Sequence, residues 1–302
     1  FLESIYQLIK DSFVYLIAPA IYRKLREKDI AVFAEQISSV ILRVRSNIHT
    51  SFRFQEEWAE NVIQNIRHML HSYPFDGMKN ACRGIPALVV GSGPSLNMDL
   101  DVLRKLKGRV LIISAGSAVQ ALLRNGIEPD LMVSIDPNVN NHKVFAGLDI
   151  REIPFLYCST IKHTILDRDL PYLTHIHLSN NSISLYLMDV KREEPKFFST
   201  STVTGTAIQA AIYMGCSEIV LVGQDFSYPN DQYYASGVQH VAPEEIKKRV
   251  DEADEFVENV SGGLNRTNKS MKVLKASVEL VINTFDFSEY YNASRIGAKI
   301  EY

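Results

Sequence analysis

Read along the chain, apolar residues change their period once, near residue 80. Val32, Phe33, Ile37, Val40, Ile41 and Val44 recur at helical spacing, as do Trp58, Val62, Ile63, Ile66 and Leu70. Glycine and proline are nearly absent over this stretch until Pro74, so nothing breaks the helices early. Tyr73-Pro74-Phe75-Asp76-Gly77 reads as a linker. From Ile85 onward short apolar runs take over: Ala87 to Val90, Val110 to Ile113, Leu131 to Ile135, Phe155 to Cys158, His175 to Leu178 and Ile219 to Val222. Near-continuous apolar strands suit a parallel sheet covered on both faces. Between them, Leu96 to Leu106, Ser117 to Asn125 and Thr202 to Met214 read as helices, with Gly126 and Gly215 where C-terminal caps belong.

Strand alternating with helix predicts an α/β fold: a doubly wound, mostly parallel Rossmann-like sheet. The expected division is an N-terminal helical region, 1–78, and an α/β domain, 79–302, that includes C-terminal helices. After Tyr228 a polar stretch containing Tyr233, Tyr234, Gly237 and His240 reads as a long loop. Pro243 to Val257 and Met271 to Phe285 read as the closing helices.

Composition changes this picture little. With 32 Lys and Arg against 35 Asp and Glu, the formal charge of -3 argues against a general nucleic-acid binder. Cys82, Cys158 and Cys216 lack CxxC spacing and are odd in number, which favours reduced thiols in the cytoplasm over zinc or a disulfide framework. Phe1 to Ile21 is apolar in patches, but Glu3, Lys10 and Asp11 interrupt it, so no span of transmembrane length forms; an amphipathic helix is expected. The missing initiator Met suggests a trimmed segment.

Candidate chemistry lies at the strand ends, where open α/β sheets bind ligands. Gly91-Ser92-Gly93-Pro94-Ser95-Leu96 follows the first strand; glycines let a backbone approach a ligand, and a helix start offers free amides to an anion. The bare alternative is a tight strand-to-helix turn. Leu96 replaces the third glycine of a dinucleotide fingerprint, the second strand ends in Ser114-Ala115-Gly116-Ser117 without a ribose-holding carboxylate, and no GK[ST] follows. Asp136, past the third strand, suits a ribose hydroxyl or magnesium and equally well a turn cap before Pro137. The hydroxyls of Ser199 to Thr206 read as helix caps or as donors to a phosphate. Gly223-Gln224-Asp225 ends a further strand, and His240 is the one His in the loop after it.

Taken in order, Val90 to Leu96, Gly126-Ile127-Glu128-Pro129-Asp130, Ser134-Ile135-Asp136, Gly205 to Gly215, Leu221 to Tyr228 and the tail Asn292 to Ile300 resemble the motility accessory factor family over roughly residues 80 to 302. That resemblance implies a glycosyltransferase that moves pseudaminic or legionaminic acid from a CMP-linked donor to Ser or Thr of flagellin in the cytoplasm. The core is also similar to bacterial sialyltransferases and to an archaeal MptE-like pterin pyrophosphokinase that uses ATP. On this basis Gly91, Ser92, Gly93, Pro94, Ser95, Ser114, Gly116, Asp136, Thr204, Gly205, Thr206 and Gln224 are expected around the donor nucleotide, and Asp225, His240 and Tyr233 (with Tyr234) around the reacting bond. No cofactor is singled out; the CMP-linked donor is the substrate, and magnesium at Asp136 is an open option. Expected partners are flagellin and the donor, with a homo-oligomer possible. Competing readings are the ATP-dependent pyrophosphokinase and a non-catalytic flagellin-binding protein; a nicotinamide oxidoreductase is disfavoured by the missing third glycine and ribose carboxylate.

Overall fold

The computed structural model describes residues 15–302, without the side chains of residues 39, 40 and 42–53. The amphipathic helix expected over Phe1 to Ile21 falls mostly outside the described residues. The described residues fall into two compact units, one ending at Glu57 and the other spanning Trp58–Tyr302. In the first, α1 (Ala20–Leu25) leads into the start of α2 (Glu27–His71), with Arg26 and Asp29 paired at 2.6 Å. The sequence reading put the division at 78/79. The second unit instead begins at Trp58, because the last turns of α2 and the supposed linker both enter its core: Met69 and Phe75 are buried there.

That unit is built on eight strands: β1 (Tyr73–Pro74), β2 (Ala87–Val90), β3 (Leu111–Ala115), β4 (Leu131–Ser134), β5 (Phe155–Cys158), β6 (Leu173–Ile176), β7 (Glu218–Val222) and β10 (Glu289–Asn292). Every neighbouring pair is parallel, in the order β1-β6-β5-β4-β3-β2-β7-β10. Helices α3 (Leu100–Leu106), α4 (Ala118–Arg124), α5 (Val139–Phe145), α6 (His163–Leu166), α7 (Ser182–Leu187), α8 (Val203–Tyr213), α9 (Pro243–Asp251) and α10 (Lys269–Thr284) complete it, with a small antiparallel hairpin, β8 (Glu255–Glu258) and β9 (Leu264–Thr267).

Alternation along each strand feeds two faces. Val89, Ile113, Leu156 and Leu221 pack with Ile208, Ala211, Val278 and Ile282 of α8 and α10. Leu88, Val90 and Ile112 pack with Leu96, Leu103 and Leu122 on the other side. This double burial is why the strands read as continuous apolar runs. Helix α8 is buried along most of its length, and Gly205, Ala207, Ala210 and Ala211 keep it thin enough to lie against the sheet.

Four expectations change. Tyr73-Pro74 is an edge strand, since its carbonyl accepts from Thr174 at 2.9 Å and proline is tolerated at an edge. The helix expected over Leu96 to Leu106 is a 3₁₀ turn, Pro94–Met98, followed by α3. The helix expected to reach Val257 stops at Asp251, and Glu255–Glu258 pairs as β8. Glu289–Asn292 is a strand that the tail pattern did not announce. The chain runs outward from β2 through β3, β4, β5 and β6, then returns to place β7 on the opposite flank of β2, so the switch point of the sheet lies between β2 and β7.

Candidate functional site at the carboxyl edge of the sheet

The loops that leave β2 and β7 grip each other at this switch point. Gly91 N–H donates to the Val222 carbonyl and Gly93 N–H to the Gly223 carbonyl, both at 2.8 Å. A β-carbon on Gly91 would lie 2.6 Å from the Gly223 oxygen; one on Gly93 would lie 2.6 Å from an oxygen of Asp225. The two loop glycines therefore answer first to the approach of another stretch of the same chain.

Asp225 is 3% exposed, and its carboxylate accepts from Ser95 N–H at 2.7 Å and from the Ser95 hydroxyl. Burial pushes its carboxyl up to about 6, against the downward pull of those two bonds. The carboxylate sits where the start of the 3₁₀ turn would otherwise offer its amide to an anion. Asp225, expected beside the reacting bond, is thus committed to the Gly91–Ser95 loop and holds it in place. The Ser95 amide and hydroxyl, expected to face a phosphate, are spent on that carboxylate.

The turn that aims Asp225 is strained. Gly223 has φ 65°, and Phe226, a bulky residue, has φ 43°. The tail braces it: Gln224 N–H donates to the Ser294 hydroxyl at 3.0 Å, Ala298 N–H donates to the Asp225 carbonyl at 2.8 Å, and Gly297 lies against the Asp225 carboxylate. Arg295, itself at φ 37°, pairs with Asp99 at 2.6 Å just past the same loop. Strain held by so many contacts is characteristic of functional sites.

Six of the expected residues meet here: Thr204, Gln224, Ser114, Ser92, Gly116 and Pro94. Thr204 donates to Gln224 Oε1 at 2.9 Å, which fixes the amide and leaves Gln224 Nε2 buried without a hydrogen bond. The Ser114 hydroxyl, at the end of β3, is likewise buried and unbonded. Ser92 and Ser117 share a hydrogen bond at 2.8 Å, and Gly116, at φ 54°, rests on Val203. Pro94 is buried at the start of the 3₁₀ turn. Gly205 and Thr206 differ from expectation: Gly205 is there because Thr200 packs on it, and Thr206 is fully buried with its hydroxyl 3.4 Å from that of Thr200. The cap of α8 is Thr202, whose hydroxyl accepts from Gly205 N–H at 2.9 Å. Thr202→Ala is expected to lower stability by about 1 kcal/mol, read by urea denaturation.

Asp136 lies apart from this cluster, past β4, exposed, with Oδ1 accepting from Asn138 N–H at 2.9 Å. Its turn-capping role is therefore realised. Among the described residues no three His, Cys, Asp or Glu side chains gather as a metal-binding group.

The loop after β7 returns as a strap over the glycine loop. Ala235 N–H donates to the Ser92 carbonyl at 2.8 Å, Ser236 N–H to Asn97 Oδ1 at 2.9 Å, and Gln239 N–H to Gln120 Oε1 at 2.8 Å. It carries a cluster of tilted rings: the Tyr233 and Tyr234 ring centres lie 4.4 Å apart, Tyr234 OH is 3.4 Å from His240 Nε2, and Arg249 donates to Tyr233 OH at 3.2 Å. Burial, reinforced by Arg249, lowers His240 to about 4, so its imidazole is neutral at neutral pH. Burial raises the Tyr234 phenol. A hollow of about 540 Å³ opens between the strap and α9, lined by Val238, Val241, Ile246, Val250 and Lys247.

Sequence reading missed Asn61 and Asn65, fully buried on α2, and underrated the tail. Two Asn at i, i+4 on an otherwise apolar helix face were a readable signal, because a buried amide demands partners. No helix among the described residues is long and apolar enough to cross a membrane.

Known proteins share this architecture. The Maf glycosyltransferase from Magnetospirillum magneticum superposes with a TM-score of 0.58 at 20% identity, covering 87% of this chain and 41% of that one. At that identity the likeness shows the fold. An uncharacterized protein of Treponema pallidum is 26% identical over 133 residues, 43% of this chain and 59% of the relative. The 6-hydroxymethyl-7,8-dihydropterin pyrophosphokinase of Methanocaldococcus jannaschii is 30% identical over 76 residues, 24% of this chain and 32% of the relative. The chain thus spans less than two thirds of each of these proteins. The family model described as 6-hydroxymethylpterin diphosphokinase MptE-like matches residues 60–231, more than half of the chain, and takes in the glycine loop, Asp136, Thr204 and the Gln224-Asp225 turn. This chain belongs to the MptE-like family.

Proposed function

We propose that the chain is the donor-binding and transferring part of a glycosyltransferase, which moves a nonulosonic acid, pseudaminic or legionaminic, from a CMP-linked donor to a Ser or Thr hydroxyl of flagellin. One observation carries the reading: two buried donors, Gln224 Nε2 and Ser114 Oγ, stand without partners at the strand ends that flank the glycine loop, beneath a strap carrying Tyr233, Tyr234 and His240. The Maf neighbour, whose likeness runs over 87% of this chain, supports the glycosyl-transfer reading.

Departure of a phosphate from an anomeric carbon leaves positive charge on the sugar and negative charge on CMP. Such a step is served by hydrogen-bond donors aimed at the phosphate. Ser92, Ser114, Ser117 and Gln224 supply them along the edge, with Asp225 holding the loop rather than touching the donor. The hydroxyls of Tyr233 and Tyr234 are donors on the strap. A neutral His240 accepts the proton of the acceptor hydroxyl as the new bond forms. Asp136, two strands from the glycine loop, is assigned to a ribose or sugar hydroxyl. Where magnesium enters, Asp136 is the carboxylate exposed to hold it.

The second reading, an ATP-dependent pterin pyrophosphokinase, is favoured by the family model. Thermal shift separates the two. CMP at about 100 times its dissociation constant is expected to stabilise the chain by about 2.7 kcal/mol, a rise of roughly 5–10 °C. Stabilisation by ATP with magnesium but not by CMP or a CMP-linked nonulosonic acid would overturn the glycosyltransferase reading.

A further inference from the structure

Helix α2 enters the edge of the sheet through two amides. Asn61 and Asn65 are both 0% exposed, one turn apart, beside the apolar Val62, Ile66 and Met69. A buried carboxamide on an apolar helix face costs free energy unless its polar atoms are matched. Here both amide NH2 groups and Asn61 Oδ1 are matched, by an unusual target, while Asn65 Oδ1 stays buried without a hydrogen bond. Asn61 Nδ2 donates to the Pro137 and Thr160 carbonyls, both at 3.2 Å, and Asn61 Oδ1 accepts from His163 N–H at 3.3 Å. Asn65 Nδ2 donates to the Ser159 carbonyl at 2.9 Å and the Ile161 carbonyl at 2.7 Å.

All four carbonyls belong to the loops that leave β4 and β5, beyond the strand hydrogen bonds, where no ladder supplies donors. One loop carries Asp136. The other reaches it directly, since Lys162 N–H donates to the Asp136 carbonyl at 3.2 Å, while Asn141 Nδ2 donates to the same oxygen at 2.8 Å. The path from helix to carboxylate is therefore short: Asn61 binds the carbonyl next to Asp136, and Asn65 holds the segment whose Lys162 amide binds Asp136 itself.

We infer that Asn61 and Asn65 are positioning residues of the donor site, and that α2 sets the place of Asp136 through the loops after β4 and β5. The inference rests on the assignment of Asp136 to the donor. A helix that only covered the core would use apolar side chains here, as the same face does at Val62, Ile66 and Met69. Instead it spends two amides on backbone that would otherwise choose its own conformation.

The test is a double-mutant cycle on CMP affinity, measured by calorimetry in the full chain with Asn65→Ala, Asp136→Ala and both together. Each single change is expected to weaken CMP by about tenfold, and the pair by no more than Asp136→Ala alone, because one acts through the other. A merely structural asparagine gives an additive, about hundredfold, loss in the pair, which would overturn the inference. So would wild-type affinity in Asn65→Ala or in Asp136→Ala; CMP binding by the wild type keeps the functional reading in either case. Asn61→Ala serves in the same cycle if Asn65→Ala does not fold. Should the wild type not bind CMP, the functional reading fails, and hydrogen exchange decides the positioning alone. Faster exchange over residues 134–142 in Asn65→Ala than in the wild type, with residues 91–98 unchanged, supports it, and equal exchange over 134–142 in the two proteins overturns it.

Discussion

Gly223→Ala is expected to lower stability by roughly 2–5 kcal/mol and to abolish the proposed CMP binding. Two costs add at this position. Its φ of 65° is left-handed, which costs a residue with a β-carbon about 1–2 kcal/mol. The new methyl group would also lie 2.5 Å from the Gly91 carbonyl oxygen and 3.1 Å from Leu96 Cβ, and a backbone oxygen cannot swing aside. Overpacking of this kind costs a further 1–3 kcal/mol or so. Relief requires the β2 and β7 loops to part, which would pull Asp225 from Ser95 and release the glycine loop. Gly262→Ala is the control: its φ is 84°, but nothing lies within 4 Å of the added carbon, so only the backbone cost of about 1–2 kcal/mol remains. Urea denaturation of both variants, with CMP titrations, checks this. Equal losses in the two would mean that the contact between the loops carries no weight.

Acidification from pH 7 to pH 5 is expected to destabilise the protein by about 2–3 kcal/mol. His175 is buried on β6, its Nδ1 2.8 Å from the Ser72 hydroxyl and its ring 5.3 Å from that of His177. Burial, with the neighbouring His177, lowers it to about 4; His240 is lowered to about 4 by burial and by Arg249. Both titrate near 6.5 in the unfolded chain, so below that pH the unfolded state binds protons that the folded state refuses. The stability these groups lend is complete above 6.5 and drains as pH falls toward 4. Each contributes a loss of about 1.5 kcal/mol by pH 5, the full linkage value of about 2 kcal/mol being reduced by solvent screening. Asp225 works in the opposite sense. Its folded carboxyl titrates near 6, above its unfolded value, so protonation there returns about 1 kcal/mol over the same interval. Urea denaturation at the two pH values measures the balance, and His175→Gln should flatten the slope by about one proton. A protein as stable at pH 5 as at pH 7 would refute the assignment of these histidines as buried and neutral.

Much of this architecture was legible in the chain because its causes are local. Val89, Ile113, Leu156 and Leu221 face one way and their neighbours the other, so a strand buried on both faces must be apolar throughout, and that shows in any short window. Gly126 and Gly215 stood out as helix ends for the same kind of reason, and both adopt positive φ. Tyr73-Pro74 and Glu289–Asn292 did not stand out. Each is an edge strand with one partner, polar enough to read as loop, and its pairing with β6 or β7 involves residues far away in sequence.

The candidate site divides along the same line. The sequence by itself determined that small and hydroxyl-bearing residues collect at the strand ends, since Gly91, Gly93, Ser95, Ser114, Thr204 and Gln224 follow apolar runs or open a helix. It also determined that the loop is no dinucleotide fingerprint, because Leu96 stands where the third glycine would be. What fills the glycine loop was decided only by tertiary structure. Asp225 lies 130 residues from Ser95 and occupies the position an anion would take, and the tail from Ser294 to Ala298 holds it there. Asn61 and Asn65 likewise look like ordinary helix residues until α2 meets the loops after β4 and β5. The physical reason is common to all of these: periodicity reports which face of an element is buried, whereas the partner of a buried polar group is set by which distant segment folding brings within 3 Å or so.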